Sequence, residues 1–248
     1  MTDVLGEALT DYHREGSASK LWVNRVDPAS AGRRREEMPV KVYFRDAEEM
    51  PELEWIALQQ CRGWVLDVGA GAGSHALFLQ RMGLTVTALD VSPKAVGVMK
   101  ARGVERVLVG DFFELGDGPV REAGGLTGDG VPAGGFDTLL LLMNGIGLAG
   151  TISGLRLFLA RARRLLRPGG RLVFDSSDVA YLYDGQTPVG GPYYGELLYQ
   201  YQYKRQKSEW FNWLFVDRKA LARVARDEGW KMELLYEDKN GQYLVIFF

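Results

Sequence analysis

The sequence predicts an α/β chain built on a doubly wound, mostly parallel sheet, and three observations carry that prediction. The stretch from Gly63 to Val91, GWVLDVGAGAGSHALFLQRMGLTVTALDV, reads as strand, glycine turn, helix and second strand. Beyond it, apolar runs of strand length alternate with amphipathic helical stretches as far as residue 178. The chain then closes with two strand-like runs, Trp230 to Tyr236 and Tyr243 to Phe248, around Lys239-Asn240-Gly241. Alternating strands and helices call for parallel strands with crossover helices, and the Asn-Gly turn calls for an antiparallel hairpin.

Before the glycine turn, residues 1–60 are too short and mixed for a core of their own and are read as an arm. Asp3 to Arg14 has Leu5, Ala8, Leu9 and Tyr12 at helical spacing, and Pro51 suits the first turn of a helix running to Cys61. Tyr12, His13, Trp22, Tyr43, Phe44 and Arg45 either line a lid over a site or pack the arm on the sheet. Arg33-Arg34-Arg35 followed by Glu36-Glu37 reads as a solvated loop.

Within the central unit, Trp64, Val65, Leu66 and Val68 suit a strand buried on both faces, and Gly69, Gly71 and Gly73 end it. The helix from Ser74 to Met82 aims its free N–H groups at that turn, and His75 at its start either packs there or acts as a base. Leu84 to Leu89 is the second strand, and Asp90 at its edge can accept hydrogen bonds from both hydroxyls of a ribose. Asp67 lies inside the first strand, where a carboxylate needs a partner such as a cationic ligand amine.

Ser92 as cap and Pro93 at the first helical position open a second crossover helix, which Gly103 closes. Arg106 to Val109 is a third strand, leading into Asp111 and Phe112. Gly116 to Gly135 contains eight glycines and is expected to be a flexible loop. Phe136 to Met143 is the most hydrophobic run and a central strand, ending at Asn144. Thr151 to Arg167 is an amphipathic helix with Leu155, Phe158, Leu159, Leu165 and Leu166 inward and Arg161, Arg163 and Arg164 mostly outward. Residues 179–216 change to a Tyr-rich alternation that reads as an inserted antiparallel hairpin, and Asp217 caps a last helix.

At 248 residues, with 46% hydrophobic and 25% charged residues, one α/β core with added elements is the economical reading. A net charge of −2 supplies no overall attraction to nucleic acid or an anionic membrane. The single Cys61 excludes an internal disulfide, and two histidines argue against an imidazole-built metal site, so no metal is expected. No apolar run reaches the ~18 residues a membrane span needs, and no apolar segment follows the N-terminus, so a cytoplasmic protein is expected.

The glycines run G-x-G-x-G, whereas dinucleotide-binding turns favour G-x-G-x-x-G. The run Val65-Leu66-Asp67-Val68-Gly69-Ala70-Gly71-Ala72-Gly73 resembles the first motif of class I S-adenosylmethionine-dependent methyltransferases, and Arg167-Pro168-Gly169-Gly170-Arg171-Leu172-Val173-Phe174 resembles a helix-turn-strand signature of the same family. The resemblance covers residues 63–178 and the closing hairpin. It implies a Rossmann-like, doubly wound, mostly parallel seven-stranded sheet with an antiparallel last strand, plus the N-terminal helical arm and the inserted antiparallel hairpin. Residues 61–248 would then be the cofactor-binding domain, 1–60 a lid and 179–216 a substrate-side insertion.

It also implies S-adenosyl-L-methionine as cofactor, held by Asp67, Gly69, Ala70, Gly71, Gly73, Asp90, Val91, Asp111, Phe112 and Met143. In the family the acidic residue matching Asp111 bonds the adenine amino group, and the next residue's N–H meets a ring nitrogen. Asn144 is the candidate to touch the methyl or the acceptor, the alternative being a turn cap, and Tyr12, Tyr43 and Arg45 are candidates for the substrate. The implied reaction is direct methyl displacement onto a small molecule by a monomer or homodimer, with no nucleic-acid or membrane partner. An NAD-dependent oxidoreductase and a non-catalytic binder of the same cofactor are the other readings.

Overall fold

The computed structural model describes residues 2–26, 32–115, 131–132, 134–183, 186–188 and 190–248. The expectation of a flexible loop over Gly116 to Gly135 falls mostly outside these residues. Five strands form the parallel part of the main sheet: β3 (Trp64–Val68), β4 (Thr85–Asp90), β5 (Arg106–Val109), β6 (Phe136–Leu141) and β7 (Leu166–Ser177). Two more, β11 (Met232–Glu237) and β12 (Gln242–Phe247), complete the seven-stranded order β11-β12-β7-β6-β3-β4-β5. β12 runs antiparallel beside β7, and β11 antiparallel beside β12, so both closing strands oppose the rest.

The sheet is covered on both faces because its central strands are buried along almost their whole length. All six residues of β6 are buried. Leu66, Leu139, Leu172 and Val245 pack on one side with α5 (Ile152–Leu165) and α6 (Arg218–Asp227). Val65, Leu140, Val173 and Leu244 pack on the other with α2 (Glu52–Gln59), α3 (Ser74–Arg81) and α4 (Pro93–Arg102). This alternation is the period-2 signature of strands sandwiched between helical layers. On α5 the inward stripe is Leu155, Phe158, Leu159, Ala162 and Leu165, and Leu166 already belongs to β7. Arg161 departs from its expected outward position and is buried.

The arm and the insertion, far apart in sequence, build one second sheet. β1 (Leu21–Val26) pairs antiparallel with β2 (Arg33–Met38) and with β8 (Glu196–Tyr203), which also pairs β9 (Gln206–Lys207) and β10 (Phe211–Leu214). The Arg33 to Glu37 run, expected as a solvated loop, is therefore an edge strand. Its backbone is recruited by β1, and Arg35 lies over the Trp22 ring at 4.2 Å. Helix α1 (Val4–Glu15) locks this cap sheet to the main one: Val4, Ala8 and Leu9 share a buried cluster with Leu21, Tyr203, Ala95 and Val98. No helix among the described residues is long and apolar enough to cross a membrane.

Candidate active site

The carboxyl ends of β3, β4, β5 and β6 open into a cavity of about 840 Å³, roofed by the cap sheet and by residues 2–5 and 36–45 of the arm. Its floor is the glycine turn. Gly69, Gly71 and Gly73 all hold positive φ, at 71°, 56° and 80°. The N–H groups of Gly69 and Ala70 both donate to the carbonyl of Leu89, which fixes the turn against β4. A Cβ on Gly71 would lie 3.1 Å from the Tyr43 ring, and nothing within 4 Å would meet one on Gly69, where the backbone opens into the cavity.

Asp67 lies almost fully buried beneath this turn. It accepts a hydrogen bond from the Ala76 N–H at the start of α3, while its Oδ2 has no partner. Burial pushes its carboxyl up to about 6, with the nearby His75 opposing and Asp90 adding to the shift. Beside it, Glu54 on α2 receives Arg45 on one oxygen and His75 Nε2 on the other, the latter at 2.9 Å. Burial pulls His75 down, yet the Glu54 bond and the Asp67 charge outweigh it and its pKa is raised. One orphaned carboxylate oxygen, on a residue that lines the cavity beneath the glycine turn, fits an ammonium group.

Asp90 projects from the end of β4. Its Oδ2 accepts from Gly71 N–H and its Oδ1 from Ser92 N–H, each at 2.9 Å. Burial raises its pKa against the pull of these two donors. Both oxygens keep a lone pair for a further donor. Asp111 is exposed on the wall, one oxygen accepting Phe113 N–H at 2.9 Å. Phe112 is buried and stacks on Phe158 with centroids 4.3 Å apart. Val91 and Met143 also reach the cavity. The structure thus brings Asp67, Gly69, Ala70, Gly71, Asp90, Val91, Asp111, Phe112 and Met143 to one crevice. Gly73 stays just behind it, packed so closely that a Cβ would meet Val104 at 2.8 Å.

Asn144 borders the cavity in the left-handed region, with φ 55°, next to Met143 at φ 62°. Its carboxamide is engaged at both ends: Nδ2 donates to the Leu214 carbonyl at 3.1 Å, and Oδ1 accepts from Ser176 Oγ at 3.2 Å. Its N–H donates to both oxygens of buried Asp175, whose carboxyl burial lifts to about 6. These bonds hold the end of β6 to β10 of the cap, which the strand-end position alone did not reveal. Tyr43 and Arg45 line the cavity, whereas Tyr12 lies off it and packs on Phe44 with centroids 4.7 Å apart. Residues that sequence reasoning missed are Asp3 and Glu54, while Tyr199, Tyr201, Phe211, Trp213 and Phe215 of the substrate-side insertion form the aromatic underside of the cap. The alternation of Tyr199, Tyr201 and Tyr203 signalled a shared face, but nothing local signalled what it would cover.

A family model described as a methyltransferase domain matches residues 65–170. A crystal structure of an S-adenosylmethionine-dependent methyltransferase from Bacteroides fragilis, in complex with S-adenosyl-L-homocysteine, is 36% identical and superposes with a TM-score of 0.82, covering 99% of this chain and 94% of that one. This chain belongs to the S-adenosylmethionine-dependent methyltransferases. The methyltransferase therefore uses S-adenosylmethionine, and the orphaned Asp67 oxygen, the opened glycine turn and the two-oxygen face of Asp90 fit that cofactor. Among curated proteins, glycine N-methyltransferase of Rattus norvegicus is 29% identical over 194 residues, 75% of this chain and 61% of the relative. Demethylmenaquinone methyltransferase of Tropheryma whipplei is 32% identical over 109 residues, 44% of this chain and 39% of the relative. The methyltransferase thus matches less than two thirds of the length of these curated relatives.

Proposed function

We propose that this methyltransferase moves the cofactor's methyl group to a small-molecule acceptor enclosed between the main sheet and the cap sheet. The observation that carries the reading is the single cavity running from the crevice of Asp67, Asp90 and Asp111 to the aromatic underside of the cap. A chamber of about 840 Å³ suits a cofactor with a small partner. The names of two relatives, a glycine N-methyltransferase and a demethylmenaquinone methyltransferase, support a small acceptor without naming this one.

In this reading Asp67 meets the ammonium of the cofactor, Asp90 its ribose hydroxyls, and Asp111 with the Phe112 N–H its adenine. Gly69 to Gly73 keep the backbone flat enough for close approach. The cofactor supplies an electrophilic methyl on a sulfonium. The chain supplies alignment and exclusion of water, through Tyr43 packed over Gly71 and the cap closed over both. Asn144 acts as a positioning residue, tying the floor to the cap. Incubation of the protein with methyl-labelled cofactor and a cell metabolite extract tests the reading. Label in a low-molecular-weight product supports it, and label confined to RNA, DNA or protein overturns it.

A further inference from the structure

The charges and the missing base of this cavity narrow the acceptor further, on the reading that methyl transfer occurs here. Among the described residues, Asp3, Glu36, Glu37, Glu54, Asp67, Asp90 and Asp111 line it, against Arg45 and His75, both of which are bound to Glu54. No lysine lines it. Such a chamber repels an acceptor that arrives as an anion and favours one that arrives as a cation.

Among the described residues, the acceptor end also offers no strong base. Burial pushes the Tyr201 phenol up to about 12 and Tyr199 higher still, so both remain protonated hydroxyls. Ser208 Oγ donates to the Glu209 carbonyl and accepts from Tyr201 N–H. The Asn144 carboxamide is occupied at both ends. Glu36 and Glu37 are exposed carboxylates paired with Arg25 and Lys20. What the wall does offer is π-faces: Tyr199, Tyr201, Phe211 and Trp213 hang from β8 and β10. Aromatic faces beside carboxylates hold ammonium groups.

We propose that the acceptor is an amine with an apolar or aromatic body, seated against the cap sheet and methylated on nitrogen. The ammonium gives up its proton to bulk water at the mouth of the chamber before its nitrogen meets the methyl group. Its lone pair forms the N–C bond as the C–S bond breaks and its electron pair stays on sulfur. Positive charge leaves the sulfonium and arrives on nitrogen, so the net charge held by the acidic cavity is unchanged through the step. No base from the protein is needed.

The test begins with calorimetric titration of S-adenosylhomocysteine. With the cofactor product bound, 2-phenylethylamine, 2-phenylethanol, 2-phenylethanethiol and 3-phenylpropanoate are titrated in turn, and four pools of aromatic and alicyclic amines, alcohols and phenols, thiols, and carboxylates are incubated with labelled cofactor. The proposal predicts that the amine binds at least tenfold tighter than its three isosteres and that label enters the amine pool. Label in another pool, or in none while S-adenosylhomocysteine binds, overturns the amine assignment and leaves the methyltransferase reading standing. Failure to bind S-adenosylhomocysteine overturns both. Trp213→Ala should weaken amine binding at least fivefold and leave S-adenosylhomocysteine affinity within twofold. Phe211→Leu repeats that comparison if Trp213→Ala does not fold, and unchanged amine binding in the folded variant overturns the proposed seat.

Discussion

Replacing Asp90 by alanine removes a carboxylate that the cofactor-free protein already uses. Its two oxygens satisfy Gly71 N–H and Ser92 N–H at 2.9 Å, one in the glycine turn and the other at the cap of α4. A hydrogen bond to a charged acceptor contributes about 1.5 to 3 kcal/mol net, and the burial that raises the Asp90 pKa offsets part of the pair. The expected loss is therefore about 1 to 3 kcal/mol, or a fall in Tm of roughly 3 to 10 °C for a chain of this size. The two backbone donors make this carboxylate part of the fold before any ligand arrives. Loss of the two ribose contacts proposed for it should also weaken S-adenosylhomocysteine binding by at least roughly tenfold to a hundredfold. Asp90→Asn, which keeps one acceptor oxygen, should fall between. Thermal melts and calorimetry on the three proteins decide it: a melt unchanged within 1 °C together with unchanged affinity refutes the account of Asp90.

Asp67 and Asp175 both have carboxyls raised from 3.8 to about 6, so the folded state holds their protons more tightly than the unfolded chain does. Their contribution therefore favours folding below the ordinary value and is lost as pH climbs to about 6, by up to about 3 kcal/mol per group. Urea denaturation between pH 4 and 7 should show a shallower fall in Asp67→Asn than in the parent, and an identical slope refutes the shift. An ammonium at Asp67 favours its charged form, so S-adenosylhomocysteine binding near pH 6 should release protons, which titrations in two buffers of different ionisation enthalpy measure. Asn144→Ala loses the bonds to Leu214 and Ser176 and places alanine at positive φ, and should cost about 2 to 4 kcal/mol and speed hydrogen exchange over residues 211–216. Gly71→Ala, with φ 56° and the Tyr43 ring 3.1 Å from the new Cβ, should lower S-adenosylhomocysteine affinity at least tenfold, read by calorimetry.

The main sheet was legible because its signals are local. Val65 and Leu66, six consecutive buried residues in β6 and the Asn-Gly hairpin each declare their structure within a few positions. β2 was illegible because RRREEM has no apolar alternation; pairing with β1 makes it a strand. The crevice carboxylates Asp67 and Asp90 were readable from their places beside the glycine turn. The Arg45, Glu54, His75 cluster was not, since α2 and α3 bring its members together only on folding. Asn144 was recognised by its strand end, but its tethers to Leu214 and Ser176 span elements whose proximity no short motif encodes. The cap itself joins residues 21–38 to residues 196–214, a pairing that depends on the main sheet having placed both segments on the same side.

Calorimetric titration of S-adenosylhomocysteine and, separately, NAD into the unmodified protein tests the central claim most directly. The geometry of Asp67, Gly69 to Gly73 and Asp90 predicts saturable one-to-one binding of S-adenosylhomocysteine and no measurable uptake of NAD. Binding of NAD with no response to S-adenosylhomocysteine would contradict it.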